Sequence, residues 1–164
     1  MAKRGGKEEA KERATGRPAI VLDTNIIISS IIKPGGFTRR VLLLLEDQAN
    51  LYAPKALLEE LAKKTEYLAQ RKGVSPQEQK YLLALLLSSV QTIDSDAIRP
   101  LIKTALRYAR DPDDAPFVAL ALYLLMIYKD VIILTWNISD YKREDLERLK
   151  IKVLTPRDVI VLLL

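Results

Sequence analysis

Apolar residues along the chain fall into two kinds of run. Short β-branched or aliphatic runs, AIVLD (19–23), NLYA (50–53), VQTID (90–94), DVIILT (130–135) and IKVLT (151–155), have the length and make-up of buried strands. Between them lie longer segments of helical character. FTRRVLLLLEDQ (37–48) follows the Pro34-Gly35-Gly36 turn and carries an apolar stripe. PKALLEELAKKTEYLAQ (54–70) opens on Pro54, and Gly73 is placed to end it. SPQEQKYLLALLLSS (75–89) begins with Ser75 and Pro76, and Glu78 stands at capping-box spacing from Ser75. A further helix is expected around PLIKTALRYA (100–109). DAPFVALALYLLMIY (114–128) is apolar nearly all round and so predicts a central, buried helix. KREDLERLK (142–150) reads as a surface helix and PRDVIVLLL (156–164) as a short closing one. Strands that alternate with helices, each strand short and apolar, predict an α/β fold with a parallel sheet covered on both faces. There is no internal repeat, and no linker follows the polar start of the chain. The expectation is a flexible basic tail over residues 1–18 and a single domain over 19–164.

One position breaks the apolar pattern. In RPAIVLDTNIIISSII (17–32) Asp23 sits within a run otherwise suited to burial. A buried carboxylate without a partner is costly, or takes up a proton to escape the cost. Thr24 and Asn25 beside it allow a plain reading, in which all three cap the chain where a strand ends. A functional reading needs companions for Asp23.

Composition narrows what those companions can do. The chain of 164 residues has no Cys and no His. Disulfides, thiolate zinc sites, and Ser–His or Cys–His catalysis are thereby excluded. Any catalysis must rest on carboxylates, Lys, Tyr or an ion held by oxygen. No apolar run reaches the roughly 18–20 uncharged residues that span a bilayer, and the polar N-terminus is not a secretory signal, so a cytoplasmic protein is expected. Net charge is +5, and the first 18 residues supply +3 of it through six basic and three acidic side chains. The remaining +2 is compatible with phosphate contacts and equally with an ordinary solvated surface.

The candidate companions follow from topology. In open parallel α/β sheets, sites form beyond the carboxyl ends of the strands. Asp23 ends the first strand, and Asn137 and Asp140 follow the fourth, while Asp111, Asp113 and Asp114 form a loop before the buried helix. Within LLEEL, Leu57, Leu61 and Leu68 define an apolar stripe with Leu58 flanking it; Glu60 then lies on its shoulder and Glu59 points to solvent. Three Asp in four residues exceed what one helix start needs. Asp113 is assigned to capping or a supporting place, Asp114 to the site itself, and Asp111 remains open between the two. Converging carboxylates repel unless protons or a cation intervene. An all-oxygen set suits a hard ion, Mg²⁺ or Mn²⁺, and such an ion can acidify a water and stabilise charge on a phosphoryl oxygen. Metal-assisted phosphodiester hydrolysis is the reaction class that follows.

These motifs resemble, in order, those of the PIN-domain ribonucleases. IVLDTNIIIS resembles their opening strand with its Asp-Thr-Asn end, LLEEL the helix carrying their Glu, DPDDAPFVALAL their third acidic motif, and ILTWNISDY their fourth. The resemblance covers roughly residues 19–156. It implies a three-layer α/β/α sandwich with a central, mostly parallel sheet of about five strands. It also implies a metal site of Asp23, Glu60 and Asp114 with Asp140, binding Mg²⁺ or Mn²⁺ and cleaving single-stranded RNA as an endonuclease. Members are often the toxin of a toxin–antitoxin pair, with an antitoxin partner, and commonly homodimers. Asn137 stands where many members have Asp, so Asp140 acting through water is the expected substitute, and segment 75–110 and the tail exceed the smallest toxin forms.

On this reading Thr24, Asn25 and Thr135 orient ligands or the attacked phosphate by hydrogen bonds, with Asp111 and Asn137 in support. Lys33, Arg39 and Arg40 are candidates to hold the RNA backbone, with a solvated helix face as the plain alternative. Apolar positions on 37–48 and 79–89 offer either a dimer surface or core packing. Two other readings stand beside the ribonuclease: a non-catalytic RNA-binding or assembly module with a degenerate acidic site, which Asn137 favours, and an RNA-processing or structure-specific nuclease.

Overall fold

The computed structural model describes residues 16–33, 35–73 and 75–164. The expected tail therefore falls, but for residues 16–18, outside the described residues, and so do Pro34 and the side chain of Leu68. All five expected strands form: β1 (Ala19–Leu22), β2 (Asn50–Pro54), β3 (Val90–Ile93), β4 (Val131–Leu134) and β5 (Ile151–Leu154). They make one parallel sheet in the order β3-β2-β1-β4-β5. Parallel strands need long crossovers, and helices supply them: α1 (Thr24–Ile32), α2 (Phe37–Leu45), α3 (Lys55–Lys72), α4 (Pro76–Ser88), α5 (Ala115–Leu124) and α6 (Arg143–Arg148), while α7 (Pro156–Leu163) follows the last strand. Short helical turns at Ser95–Ile98, Arg99–Leu101 and Ile102–Ala105 replace the single helix expected near 100–109.

Period-two alternation sorts the core into two halves, one on each side of the sheet. Ala19, Val21, Tyr52, Ile133 and Val153 face a layer built on α5, where Phe117, Val118, Leu120 and Leu124 are buried. Ile20, Leu22, Leu51, Ile132 and Leu134 face the other layer, with Ile26, Ile27 and Ile31 of α1, Val41, Leu42 and Leu45 of α2, and Leu58 and Leu61 of α3. The result is a three-layer α/β/α sandwich. Local signals close the helices as their sequences direct. Gly73 adopts a left-handed φ of 70° at the end of α3, Ser75 Oγ accepts from the Glu78 N–H at 3.1 Å, and Thr155 with Asp158 forms a reciprocal capping box on α7.

The chain runs outward from β1 to β2 and β3, then returns across the sheet to β4 beside β1. Helices of the first two crossovers cover one face, and α5 and α6 cover the other. The carboxyl ends of β1 and β4 therefore flank the point where strand order reverses, the usual place for a site in such sheets.

Sequence reading left residues 24–32 as part of a buried run after the first strand; they form α1. The strand stops at Leu22, and Asp23, with φ −71° and ψ 157°, becomes the residue that precedes the helix. Apolar residues continue because α1 packs its Ile-rich face under the sheet, and Ser30 is accommodated there by donating to the Ile26 carbonyl at 2.9 Å.

If α5 is the central support, Leu120→Ala lowers unfolding free energy by about 2–5 kcal/mol, whereas Val161→Ala, at 87 % exposure, stays within about 0.5 kcal/mol of wild type. Urea denaturation followed by circular dichroism measures both.

Candidate active site

Asp23 is 3 % exposed, and its carboxylate has specific partners. Register pairs Leu22 with Leu134, so Asp23 and Thr135 are the next positions along neighbouring strands and point to the same face. The Asp23 N–H donates to the Leu134 carbonyl at 3.1 Å and the Thr135 N–H to Leu154 at 3.0 Å, which carries the ladder one step past the strand ends. Thr135 Oγ1 then donates to Asp23 Oδ2 at 2.9 Å, and the buried Tyr141 hydroxyl donates to the same oxygen at 2.9 Å. Burial pushes the Asp23 carboxyl above its ordinary range, and the two hydroxyls and the Thr24 N–H oppose that push, while the Asp140 charge adds to it. Burial and the neighbouring Asp23 and Asp114 charges raise the Tyr141 hydroxyl, so it remains a donor. Asp23 occupies the capping position of α1 but makes no side-chain cap bond.

Asn25 and Thr135 lock this arrangement. Asn25 Nδ2 donates to Thr135 Oγ1 at 3.2 Å, and Asn25 Oδ1 accepts from the Trp136 N–H at 3.0 Å. Thr135 Oγ1 also accepts from the Asn137 N–H at 3.0 Å. Asn137 thus contributes through its backbone, and its side chain is exposed. Tyr141 escaped sequence reading, because its place in TWNISDY gave no sign that it reaches a residue 118 positions away.

The Asp loop is brought to the same place by a short crossing of two segments. Ala109 and Tyr141 form an antiparallel bridge, the Arg110 N–H donates to the Asp140 carbonyl at 2.8 Å, and the Lys142 N–H donates to Tyr108 at 2.9 Å. Asp114 is half-buried just before α5. Its carboxyl is pushed up to about 7, first by burial and then by the charges of Asp23, Asp140, Asp111 and Asp113. The cap of the loop is Asp111, whose Oδ1 accepts from the Asp113 N–H at 2.9 Å at the start of the Pro112–Asp114 turn. Of the two places expected for Asp113, capping or support, the cap goes to Asp111, because the turn begins at Pro112, three residues before α5. Asp113 instead lines a cleft.

This cleft, of about 510 Å³, lies over the ends of β1, β2 and β3. Pro54, Leu57, Ile98, Ile102 and Phe117 make its apolar wall, and Thr24, Glu60, Asp113 and Asp114 its polar one. Glu60 faces the cleft, and Glu59 is exposed outside its lining, as the helical wheel predicts. Lys33, Arg39 and Arg40 do not line it.

The donors are all oxygen, and the Asp114 carboxyl is pushed up by burial and by its acidic neighbours. This chemistry fits a hard divalent cation. Among the described residues no three acidic side chains already stand at ion-binding distance from one point.

The sequence profile of the PIN domain matches residues 21–127. The chain belongs to the PIN domain family. The match runs from the strand before Asp23 to the end of α5 and so takes in Asp23, Glu60 and Asp114. The PIN domain is 29 % identical over 146 residues to the uncharacterized protein MJ1680 of Methanocaldococcus jannaschii, covering 86 % of this chain and 88 % of that one. Its fold is shared with a chain in the crystal structure of VapBC2 from Rickettsia felis bound to a DNA fragment from their promoter. There the TM-score is 0.53 at 18 % identity, over 84 % of this chain and 98 % of the other.

Crowded acids give a pH signature without any metal. Below its ordinary value of 3.8 the Asp114 carboxyl is protonated in folded and unfolded chains alike. Between there and about 7 the unfolded chain sheds a proton that the fold keeps, so stability falls as pH rises, and above about 7 the full cost is present. Asp114→Asn therefore stabilises the metal-free protein at pH 8 by on the order of 1 kcal/mol after solvent screening, with the gain gone near pH 3. Thermal melts in EDTA across that range measure it; an equal gain at both ends would contradict the crowding.

Proposed function

We propose that this PIN domain is a metal-dependent endoribonuclease that hydrolyses phosphodiester bonds of single-stranded RNA. The observation that carries the proposal is the placing of Asp23, Asp114 and Asp140 together where strand order reverses, with Asp114 pushed up to about 7 by burial first and by its acidic neighbours second. Asp23, Glu60 and Asp114 would hold Mg²⁺ or Mn²⁺, with Asp140 in the outer shell. When bound, such an ion supplies neutralising charge and acidifies a water toward neutral pH. The chain's own residues do the rest. Thr135 and Tyr141 fix the orientation of the Asp23 carboxylate, Asn25 fixes Thr135, and Pro54, Leu57 and Phe117 form an apolar wall beside Glu60 and Asp114. Family resemblance further supports a toxin role, with a protein antitoxin that covers the acids. A homodimer is part of the same reading, with Leu43 and Leu44 of α2 exposed at 49 % and 52 % as candidate contacts. No helix among the described residues is long and apolar enough to cross a membrane, and we place the protein in the cytoplasm on this reading.

A second reading has its own support. Asn137 stands at a position where the resembled family often has Asp, which suits a non-catalytic RNA-binding or assembly module. One set of measurements separates the two. The nuclease reading expects Mn²⁺ or Mg²⁺ to bind saturably by calorimetry and to support cleavage of a single-stranded RNA, and Asp23→Asn or Asp114→Asn to cut more slowly by roughly a hundredfold or more. Equal cleavage by wild type and Asp23→Asn would show that the site is misplaced. Absence of both ion binding and cleavage would leave the binding module. Duplex DNA and flap substrates in the same series test a structure-specific nuclease.

A further inference from the structure

Beside the acids, on the β4 side and away from the cleft, the chain places an aromatic pair that nothing in the acidic site requires. Trp136 directly follows Thr135, the residue whose hydroxyl holds Asp23. Its ring is only half-buried, yet it is fixed at two points. The backbone N–H donates to Asn25 Oδ1 at 3.0 Å, and the indole Nε1–H donates to Thr38 Oγ1 at 3.1 Å, while Thr38 also shares a hydrogen bond with Ser29 Oγ at 3.0 Å. Phe37, at the start of α2, packs on it with ring centroids 6.3 Å apart and planes tilted by 46°. Phe37 itself is 47 % exposed. A ring kept at the surface and braced by a second, hydrogen-bonded ring loses little freedom when a ligand settles on it.

Charge along the segment that carries Phe37 is of one sign. From residue 24 to residue 45 there is no Asp or Glu, and Lys33, Arg39 and Arg40 are the charged residues. None of the three forms a salt bridge with another described residue, whereas Arg99, Arg143 and Arg148 all have acidic partners. An aromatic surface flanked by uncommitted cations suits one ligand chemistry: an unpaired base that stacks, and phosphates that the cations meet. Trp136 directly follows Thr135, whose hydroxyl holds Asp23, so the aromatic pair adjoins the acidic site.

We propose that Phe37 and Trp136 form a stacking platform for an unpaired base of the RNA strand next to the bond over the acidic site, with Lys33, Arg39 and Arg40 on its phosphates. This rests on the ribonuclease reading for the identity of the strand, but it predicts binding that needs neither metal nor cleavage.

Trp136 is the only tryptophan of the chain, so its fluorescence reports on the platform alone. The full-length protein in EDTA is titrated with an eight-nucleotide oligouridylate and with an abasic oligomer of the same length and charge. Expected is saturable quenching by oligouridylate and at least fivefold weaker binding of the abasic strand. Phe37→Ala and Phe37→Leu should each weaken oligouridylate binding by roughly five- to hundredfold, with Phe37→Tyr near wild type. Circular dichroism checks that each variant is folded, and Phe37→Leu keeps the apolar volume should Phe37→Ala unfold. Equal affinity for the two strands, or wild-type binding by Phe37→Leu, would overturn the platform. A protein that cleaves RNA but binds equally well without the Phe37 ring loses the platform and keeps the nuclease. One that quenches as expected but never cleaves loses the nuclease and keeps the platform.

Discussion

Two hydroxyls on one carboxylate oxygen organise this molecule. Asp23 ends the central strand, where the sheet is covered on both faces and water is scarce, so its charge is tolerable only if the fold supplies donors. Thr135 comes from the neighbouring strand and Tyr141 from the segment after it. Each bond also fixes something else. Thr135 ties β4 to β1 one residue beyond their ladder, and Tyr141 sits in an antiparallel bridge with Ala109 that draws the Asp loop inward. The residue that helps to satisfy the buried acid thus sits in the same crossing that carries the Asp loop.

The assembly works against itself in a revealing way. Asp114 and Asp140 come near Asp23 because backbone bonds at Arg110 and Lys142 bring their loops there, not because the carboxylates attract. The hydroxyls and the Thr24 N–H offset part of the Asp23 burden, but Asp114, which has no such donors among the hydrogen bonds of the site, carries a raised proton affinity, from burial first and from the neighbouring charges second. Positive charge is the natural relief, and the half-buried position of Asp114 leaves it within reach from solvent.

Much of this was legible in the sequence, and the exceptions have physical causes. The five strands were readable because a parallel strand buried on both faces must be a short run of apolar residues, and AIVL, VIIL and IKVL are little else. Glu60 could be separated from Glu59 because a helix fixes their angular difference; both are exposed, and Glu60 is the one that lines the cleft. Helix α1 was missed because DTNIIISSII has no apolar period: with Ile26, Ile27 and Ile31 buried under the sheet, β-branched residues serve a helix as well as a strand. Tyr141 was not singled out, and Asp111 was left open between cap and site, for opposite reasons. The first acts across 118 residues, which no local pattern records, and the second depends on whether the turn starts at Pro112 or at Ala115.

The same region shows how a fold divides two demands between neighbouring residues. Asn25 could have capped α1 or oriented a ligand directly, but both ends of its amide are spent on the loop after β4, one on Thr135 and one on Trp136. Its amide therefore couples the acid side of the site to the aromatic side. Removing the amide would free the Thr135 hydroxyl to rotate away from Asp23 and release the backbone beneath Trp136 at once. A defect in carboxylate geometry and a defect in ring placement would then appear together, although Asn25 touches neither Asp23 through its side chain nor the Phe37 ring. That coupling follows from hydrogen-bond valence alone: an amide has one acceptor end and one donor end, and here each is committed to a different half of the site.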